Sequence, residues 1–311
     1  MSEARYPAPD PRDVDPAAVR RGFSRAASTY DSAAVLQREI GARLAQRLDY
    51  VKLSPSTILD AGCGTGDAIG ELAVRYPGAH IVAFDIAQPM VEAARRRTQT
   101  RRSLMKRLLH PLTRASGGVK PAFVCADMNA LPFRGVVADL AWSNLALQWV
   151  NDLPRAFAEF RRVLKVGGLL SFTTLGPDTL RELRRAFSGV DETTHVNRFV
   201  DMHDIEDMLV HAGFADPVMD MEYVTLTFDS PRALLAELKS LGATNRTRGR
   251  PRGLMGRTRF DRALNVLEAL RQDGRIPATY EVVYGHAWKG EPRKTAEGHA
   301  IVRMRPRERG A

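Results

Sequence analysis

The chain has few cysteines, no targeting signal and no long apolar run. Its 311 residues include two cysteines, Cys63 and Cys125, without CxxC spacing or a neighbouring histidine cluster, so neither a disulfide framework nor a zinc site is expected. No segment approaches the roughly 18 apolar residues that a membrane helix needs. The N-terminus has neither an apolar core nor an Arg-rich amphipathic pattern. These absences predict a cytoplasmic globular protein without a metal site.

Acidic residues are absent from one of the two most basic segments. Residues 95–120 carry nine Lys or Arg and no Asp or Glu, and residues 246–262 carry seven Arg against the single acid Asp261. The whole chain has a net charge of +10, so its basic character is concentrated in a few stretches. Local positive charge predicts an acidic partner surface, a nucleic acid or a phosphorylated ligand, with a solvated charge run as the alternative.

The remaining sequence alternates strand-like apolar runs with amphipathic helical stretches. The runs STILDAG and AHIVAFD, for example, are separated by a helical stretch, and QPMVEAARRR follows the second. This alternation is typical of a parallel sheet covered by helices on both faces. Seven strand-like runs predict an α/β fold with a doubly wound, mostly parallel seven-stranded sheet, an N-terminal helical lid and C-terminal helical additions. Such sheets bind ligands at the carboxyl ends of their strands.

The helical lid is predicted from the spacing of apolar residues before this core. In SAAVLQREIGARLAQRLDYV one helical face would carry Val35, Leu36, Ile40, Leu44 and Leu48. This face is expected to cover an edge of the sheet.

A glycine-rich stretch, TILDAGCGTGDAIG at residues 57–70, contains the first strand-like run. A dinucleotide loop requires the spacing G-x-G-x-x-G, but Gly62, Gly64 and Gly66 stand at alternate positions and Asp67 occupies the place of the last required glycine. An acid there would repel a pyrophosphate, and the absence of Gly-Lys-Ser/Thr excludes a P-loop. The loop instead suits a ligand that lacks phosphates, carries an ammonium group and is approached closely by backbone.

Carboxylates stand at the ends of three successive strand-like runs. Asp60 precedes the glycine loop, Asp85 ends the second run and Asp127 follows the third. Asp60 could bind an ammonium group. Asp85 could accept hydrogen bonds from two ribose hydroxyls. Asp127, beside Met128, could accept a hydrogen bond from an adenine amino group. S-adenosylmethionine carries these groups and is therefore the predicted cofactor. Asp85 and Asp127 could instead be turn or capping acids, but three acids beside one glycine loop favour the ligand.

The glycine loop and these acids resemble those of class I S-adenosylmethionine-dependent methyltransferases over residues 57–176. A closer resemblance, spread over residues 22–285, is to the malonyl-acyl-carrier-protein O-methyltransferases of biotin synthesis. It is carried by FSRAASTYDSAAVLQREI, DLAWSNLALQWV, FTTLGPDTLRELRRAF, HVNRF, LKSLGATN and ATYEVVYG. The resemblance implies a Rossmann-like methyltransferase that esterifies the free carboxylate of a malonyl group on acyl-carrier protein and so masks its charge.

The resemblance also implies a division of the chain. Residues 1–15 are expected to be disordered, 16–50 to form the lid, 51–290 to form the methyltransferase domain, and 291–311 to form a basic mobile tail. Within the methyltransferase domain, segments near 190–275 are expected to cover the substrate.

A basic insertion near residues 98–119 stands where the family usually has a short turn. Leu104, Leu108 and Leu109, with Arg and Lys around them, predict a basic amphipathic helix. Together with residues 246–262, the basic segment 95–120 is predicted to meet the acidic acyl-carrier protein, a solvated insertion being the alternative.

The implied chemistry needs no general base, because a carboxylate ionises near pH 4 and is already charged at neutral pH. The rate is expected to come from alignment of the carboxylate oxygen, the methyl carbon and the sulfur in a water-poor pocket. Arg198, in HVNRF, is predicted to clamp the carboxylate with its planar guanidinium. Tyr30, on the lid, is predicted to close over cofactor and substrate. The alternatives are an exposed or capping arginine and a core aromatic residue.

The other predicted site residues lie at strand ends or in the lid, where polar groups line pockets more often than cores. Substrate contacts are predicted for Phe23, Gln148 and Trp149. Cofactor contacts are predicted for Asp60, Gly62, Cys63, Gly64, Gly66, Asp85, Ile86, Asp127, Met128, Ser143 and Asn144.

Three other functions remain open. WVNDLPRAF and ATYEVVYGHAWKG also resemble complex I assembly factors that hydroxylate an arginine, although the Asn-Arg-Phe block at Arg198 favours the methylase. NRTRGRPRG suggests a nucleic-acid methylase, but no aromatic-interleaved basic strip accompanies it and SNLA stands where an amino-methylase motif would follow the fourth strand. The third alternative is a non-catalytic ligand-binding protein. No nucleic-acid or membrane partner is expected.

Overall fold

A computed structural model describes residues 10–109, 120–190, 193–251, 253 and 255–291, the side chains of 101–109 excepted. Within these ranges the chain forms seven β-strands and ten α-helices. The strands are β1 Thr57–Ala61, β2 His80–Asp85, β3 Ala122–Cys125, β4 Ala138–Ser143, β5 Leu164–Leu175, β6 Ala215–Phe228 and β7 Ile276–Trp288. The helices are α1 Pro16–Ala26, α2 Tyr30–Ala33, α3 Val35–Arg47, α4 Asp67–Arg75, α5 Gln88–Leu109, α6 Leu153–Val163, α7 Arg181–Ser188, α8 Met202–His211, α9 Pro231–Ser240 and α10 Arg257–Ala269.

The described strands form a single sheet with the order β3-β2-β1-β4-β5-β7-β6. The five strands from β3 to β5 run parallel, and β7 is antiparallel to both of its neighbours. The predicted doubly wound, mostly parallel seven-stranded sheet is therefore confirmed. The strand order reverses between β1 and β4, and such a switch point opens a crevice at the carboxyl ends of the two strands.

The amphipathic pattern of the helices explains how they pack on this sheet. In α6 the side chains of Leu153, Ala156, Phe157, Phe160 and Val163 are all buried, at the spacing of one helical face. Burial of each phenylalanine contributes roughly 1.5–3 kcal/mol. Capping side chains fix where helices begin: Asp15, Asp152 and Ser230 accept backbone N–H groups at the starts of α1, α6 and α9.

The N-terminal helices differ from the prediction in two details. Leu36, Ile40, Leu44 and Leu48 are buried as predicted, but Val35 is 50% exposed. Helix α3 packs against the interior strand β5 and against α4, so it covers a face of the sheet rather than an edge.

Residues 10–15 are held against the body of the protein. Val14 pairs with Thr247 in an isolated β-bridge, and its backbone N–H and carbonyl both bond the side-chain amide of Asn151 at 2.9 Å. Residues 1–9 and 292–311, which belong to the predicted disordered N-terminus and mobile tail, lie outside the described residues.

The start of the basic insertion continues α5 without a break as far as Leu109. The side chains of Leu104, Leu108 and Leu109, which were predicted to form an apolar face, lie outside the described part of the structure. Residues 110–119 of the insertion also lie outside it. No described helix is both long and apolar enough to cross a membrane.

Candidate active site

Two adjoining cavities open at the carboxyl ends of β1, β2 and β4. The first, of about 270 Å³, is lined by the glycine loop and by the segments that follow β2, β3 and β4, and is called the loop cavity. The second, of about 160 Å³, lies under α7, α9 and the segments near 195 and 244, and is called the lobe cavity. Phe23, Tyr30, Leu145 and Trp149 line both cavities. A group bound in one cavity can therefore approach a group bound in the other across these four side chains.

The glycine loop depends on the absence of side chains at two positions in particular. Gly62 has φ +70°, and a Cβ there would overlap the Cβ of Ala146 and lie 3.0 Å from Cε of Met128. Gly66 has φ +81°, and its Cβ would lie 2.8 Å from that of Ala94 on α5. Gly62 and Gly64 line the loop cavity. Gly66, predicted as a cofactor contact, instead allows α5 to pack closely against the loop.

Asp85 joins the end of β2 to the glycine loop. Its carboxylate accepts the N–H of Gly64 at 3.1 Å and that of Ala87 at 2.8 Å, and it lines the loop cavity beside Ile86. Burial raises the pKa of Asp85 to about 6, although the backbone hydrogen bonds oppose this shift. The side chain is thus fixed by the protein and presents its remaining acceptor capacity to the cavity.

The third predicted acid also lies on the loop cavity. Asp127 accepts the N–H of Asn129 at 2.8 Å, and Asp127, Met128 and Asn129 all line the cavity. The predicted grouping of Asp127 and Met128 after β3 is therefore found in the structure.

A smaller recess of about 50 Å³ adjoins the loop cavity and surrounds Asp60; it is called the acid recess. Three of its lining side chains carry buried polar atoms without a partner among the described residues: Oδ2 of Asp60, Oε1 of Gln37 and Nε1 of Trp142. Burial, with smaller contributions from the charges of Asp85 and Asp67, raises the pKa of Asp60 to about 7. Buried polar groups are normally satisfied, so two free acceptors and one free donor indicate a ligand group that both donates and accepts.

Asn144 and Ser143 are adjacent at the end of β4 but have different environments. Asn144 lines the loop cavity and the acid recess, donates to the carbonyl of Gln37 at 2.8 Å, and accepts the hydroxyl of Thr173 at 2.7 Å. Ser143 is fully buried and donates to the carbonyl of Ala61 at 3.0 Å. Because side chains alternate along a strand, Ser143 lines none of these cavities and ties β4 to β1. Cys63 lines the acid recess.

Tyr30 stands at the junction of the three spaces. Its side chain lines the loop cavity, the lobe cavity and the acid recess, and its hydroxyl forms no hydrogen bond with described residues. Burial, with smaller contributions from nearby acids, raises the pKa of Tyr30. The phenol therefore stays protonated and is available as a donor. Its neighbour Asp31 accepts the hydroxyl of Thr65 on the glycine loop, which holds α2 over the site.

The predicted substrate residues lie at the same junction. Phe23 and Trp149 pack edge to face with ring centroids 5.2 Å apart, and both line the two cavities. Gln148 lines the lobe cavity and donates to the carbonyl of Leu145 at 2.7 Å.

Arg198 lies elsewhere. It is exposed and lines neither cavity, whereas its neighbours Asn197 and Phe199 line the lobe cavity. Its charge helps, after the hydrogen bonds from Arg12, to lower the pKa of Asp10 to about 2, which places Arg198 on the outer surface near Asp10. The guanidinium therefore does not reach the cavity in this structure, contrary to the expectation of a clamp.

The lobe cavity is apolar and contains no Lys or Arg among its lining residues. Its single lining carboxyl group, Glu237, has a pKa raised by burial. The other polar side chains that line this space belong to the neutral residues Gln37, Gln148, Asn197, Thr244 and Asn245 and to His195. An anion that enters it would be poorly hydrated and would meet hydrogen-bond donors without a fixed cation.

Three residues that were not predicted from the sequence also line the site: Asp31, Gln37 and Arg38. Gln37 and Arg38 occupy the first turn of α3, and both line the acid recess with Asp31. The apolar pattern of α3 predicts its buried face and gives no role to its polar face, so it does not identify these residues. They could have been predicted from their proximity to Tyr30 in the chain.

Comparisons with known proteins show the fold and the family of this chain. A family model described as a methyltransferase domain matches residues 59–172. The YcgJ protein of Bacillus subtilis shares the fold at 17% identity, with a TM-score of 0.56 over 81% of this chain and 99% of that one. A putative methyltransferase from Bacillus halodurans C-125 shares it at 17% identity, with a TM-score of 0.56 over 80% of this chain and 100% of that one.

Two curated relatives match almost the full chain. The malonyl-(acyl-carrier protein) O-methyltransferase of Gallionella capsiferriformans (strain ES-2) is 53% identical over 290 residues, which is 93% of this chain and 96% of that protein. The protein of the same name from Laribacter hongkongensis (strain HLHK9) is 50% identical over 98% of this chain and 99% of its own length. The similarity thus includes α1–α3 and the segments beyond β5, and the chain belongs to the malonyl-(acyl-carrier protein) O-methyltransferase family.

Proposed function

We propose that the protein methylates the free carboxylate of malonyl-acyl-carrier protein to give its methyl ester, an early step of biotin synthesis. The observation that carries this proposal is the junction at Tyr30, where the loop cavity and the acid recess, with its free polar atoms, meet a mainly apolar cavity lined by no Lys or Arg. The names of the curated relatives specify the same substrate and reaction, and favour this function over arginine hydroxylation or nucleic-acid methylation.

The methyl donor is S-adenosylmethionine, and the residues present fit it. Asp60, Gln37 and Trp142 offer two acceptors and one donor, which match the ammonium and carboxylate of its amino-acid group. Asp85 would accept hydrogen bonds from the ribose hydroxyls. Asp127 and Met128 would contact the adenine. Gly62 and Gly64 line the loop cavity with backbone alone, so the ligand can approach their main chain closely. When bound, this cofactor supplies an electrophilic methyl group on a sulfonium.

The lobe cavity would make the malonyl carboxylate more reactive. Transfer of a methyl group to a carboxylate removes negative charge from the oxygen, so a fixed cation on that oxygen would stabilise the ground state more than the transition state. A cavity with apolar walls and neutral donors excludes water while leaving the charge on the nucleophile. The placement of Arg198 outside the cavity fits this requirement. Phe23, Leu145 and Trp149 would then align the two reactants by shape.

Removal of the Tyr30 hydroxyl is expected to weaken substrate binding. We expect Tyr30→Phe to raise the KM for malonyl-acyl-carrier protein about tenfold and not to lower kcat. The hydroxyl would donate to the malonyl carboxylate, and a hydrogen bond to a charged group contributes about 1.5–3 kcal/mol. This bond would be at least as strong in the ground state as in the transition state. Steady-state methylation kinetics check this. Tyr76→Phe, which removes a phenol at the end of α4, is the control. A loss of cofactor affinity with unchanged KM would instead assign Tyr30 to the cofactor.

The position of Arg198 leads to a different expected result for Arg198→Ala. We expect kcat to change less than about twofold, and any increase in KM to appear with malonyl-acyl-carrier protein and not with malonyl-pantetheine, because an exposed rim charge acts mainly on association. Kinetics with both substrates distinguish the roles. A fall of 100-fold or more in kcat/KM with malonyl-pantetheine would restore the predicted carboxylate clamp.

The carrier protein is proposed to meet the basic segments 95–120 and 246–262. In the described part of these segments, Arg97 is engaged with Asp31 and Asp67, and Arg257 lies 3.7 Å from Asp261. Arg96 and Arg250 also pair, with Glu92 and Asp15, and the remaining arginines of these segments whose side chains are described form no ion pair. Their charge supports attraction of an acidic protein, which salt should weaken.

Mass spectrometry of malonyl-acyl-carrier protein incubated with the enzyme and S-adenosylmethionine tests the function. The proposal predicts a gain of one methylene on the carrier protein, reversed by an esterase, and no gain with acetyl-acyl-carrier protein, which lacks the free carboxylate. A gain that resists the esterase, or no gain at all, would contradict it.

A further inference from the structure

Four arginines converge beside the lobe cavity and are called the arginine cluster: Arg21, Arg25, Arg246 and Arg250. Arg21 and Arg25 are one turn apart on α1, and Arg246 and Arg250 lie in the segment after α9. Burial, and then the like charges of Arg250, Arg25 and Arg21, lower the pKa of Arg246. The guanidinium groups of Arg21, Arg25 and Arg250 are therefore close enough to Arg246 to repel its charge.

The positive charge of the cluster exceeds the negative charge of the acid that is paired with it. Asp15 lies 3.5 Å from Arg250 and 3.8 Å from Arg21, and it is the one acid paired with the cluster among the described residues. Arg246 donates to the carbonyl of Gly242 at 3.2 Å, but its Nε is buried without a partner. Four cations against one carboxylate leave a surplus that an anionic ligand would neutralise.

The protein holds Arg246 in place by specific contacts. Its backbone N–H donates to Oδ1 of Asn197 at 2.9 Å, and its carbonyl accepts the N–H of Asp15 at 2.8 Å. A Cβ on Gly22 would lie 2.5 Å from Nη2 of Arg246. Helix α1 thus accommodates the guanidinium by having no side chain at position 22, so the concentration of positive charge is built into the packing.

The cluster borders the lobe cavity from the outside. Phe23 follows Gly22 on α1, while Leu241, Thr244 and Asn245 lead up to Arg246, and all four line the cavity. Asn197, which bonds Arg246, lines it as well. A ligand whose reactive end lies in the lobe cavity would have the cluster beside its outer part.

We propose that the arginine cluster binds the phosphate of the pantetheine arm that carries the malonyl group. The inference rests on the proposed function, in which the substrate is a thioester of that arm. The arm is neutral between its thioester and its phosphate, which matches a cavity without cations bordered by a cationic cluster. Guanidinium groups bind phosphate oxygens through paired, charge-assisted hydrogen bonds. Acyl-carrier protein and coenzyme A both present a phosphate at this position of the arm.

Binding measurements with the phosphate present or absent test this site. Malonyl-4′-phosphopantetheine and malonyl-pantetheine are titrated into the protein saturated with S-adenosylhomocysteine. We expect wild type to prefer the phosphorylated compound at least tenfold, and Arg21→Gln/Arg25→Gln and Arg246→Met each to remove most of that preference. The first variant alters two exposed side chains, so its fold is preserved even if Arg246→Met is unstable.

The control is Arg134→Gln/Arg185→Gln, which removes the same charge from two exposed arginines outside the cluster. It should keep the preference. No preference in wild type, or one that survives in the cluster variants, would overturn the proposal. An effect confined to malonyl-acyl-carrier protein, and absent with both malonyl-4′-phosphopantetheine and malonyl-coenzyme A, would also overturn it and indicate contact with the acidic carrier surface.

The same wild-type protein, assayed for methylation of malonyl-acyl-carrier protein, separates this inference from the proposed function. Phosphate-dependent binding without methyl transfer would contradict the function and leave the phosphate site standing. Methyl transfer without phosphate-dependent binding would support the proposed function and contradict the phosphate site.

Discussion

Asp60→Asn is expected to weaken the binding of S-adenosylmethionine and S-adenosylhomocysteine at least 100-fold, which corresponds to about 3 kcal/mol. Oδ2 of Asp60 is buried and has no partner among the residues that the structure describes, so the ligand ammonium would supply its counter-charge. The amide removes this charge and places either a donor against the ammonium or a weaker, neutral acceptor. Isothermal titration calorimetry with S-adenosylhomocysteine measures the loss directly.

Asp139→Asn is the matched control for this experiment. Asp139 lies near the start of β4, at the opposite end of the sheet, where it bonds Lys165 at 2.9 Å and the N–H groups of Ser56 and Thr57. Its replacement is expected to lower stability but to keep the affinity for S-adenosylhomocysteine within about twofold of wild type. An Asp60→Asn protein that bound the ligand almost as tightly as wild type would show that the ammonium lies elsewhere.

Gly62→Ala is expected to destabilise the protein by about 3 kcal/mol or more and to remove its stabilisation by cofactor. The new Cβ would meet a left-handed backbone and the side chains of Ala146 and Met128, so strain and overpacking add. Urea unfolding with and without S-adenosylhomocysteine measures both effects. A ligand at 100 times its Kd stabilises wild type by about 2.7 kcal/mol, and this increment should disappear.

Gly167→Ala separates the effect of backbone strain from the effect of overpacking. Gly167 has φ +77°, similar to that of Gly62, but an added Cβ there would meet nothing within 4 Å. The change is expected to cost about 1 kcal/mol, from backbone strain alone, with cofactor stabilisation intact. Equal effects of the two substitutions would refute the argument that Ala146 and Met128 close the loop around Gly62.

The part of the site formed by strand ends could be predicted from the sequence. Asp60, Asp85 and Asp127 follow successive parallel strands, whose carboxyl ends share one edge of the sheet, and all three line adjoining spaces in the structure. The seven strands could also be predicted from local pattern, most of them from apolar runs and β6 from the alternation of buried and exposed positions along its 14 residues. Local pattern and topology were sufficient there.

Features that depend on side-chain direction or on distant segments could not be predicted in this way. Ser143 and Asn144 are both polar strand-end residues, yet only Asn144 faces the cavity. In HVNRF, likewise, Asn197 and Phe199 face inward and Arg198 outward. The arginine cluster joins residues more than 220 positions apart, from Arg21 to Arg246, and its charge pattern becomes visible only when α1 packs on the segment after α9.

The pH dependence of S-adenosylhomocysteine binding tests the central claim, that the acid recess receives the cofactor ammonium, most directly. Because burial raises the pKa of Asp60 to about 7 in the free protein, the carboxyl group must lose a proton before it can accept the ammonium. Affinity should therefore level off above pH 7, fall about tenfold per pH unit just below it, and fall more steeply below about pH 6, where Asp85 is protonated as well. 5′-Methylthioadenosine, which lacks the amino-acid group, should weaken only below about pH 6, where Asp85 becomes protonated. Identical pH profiles for the two ligands would contradict the account.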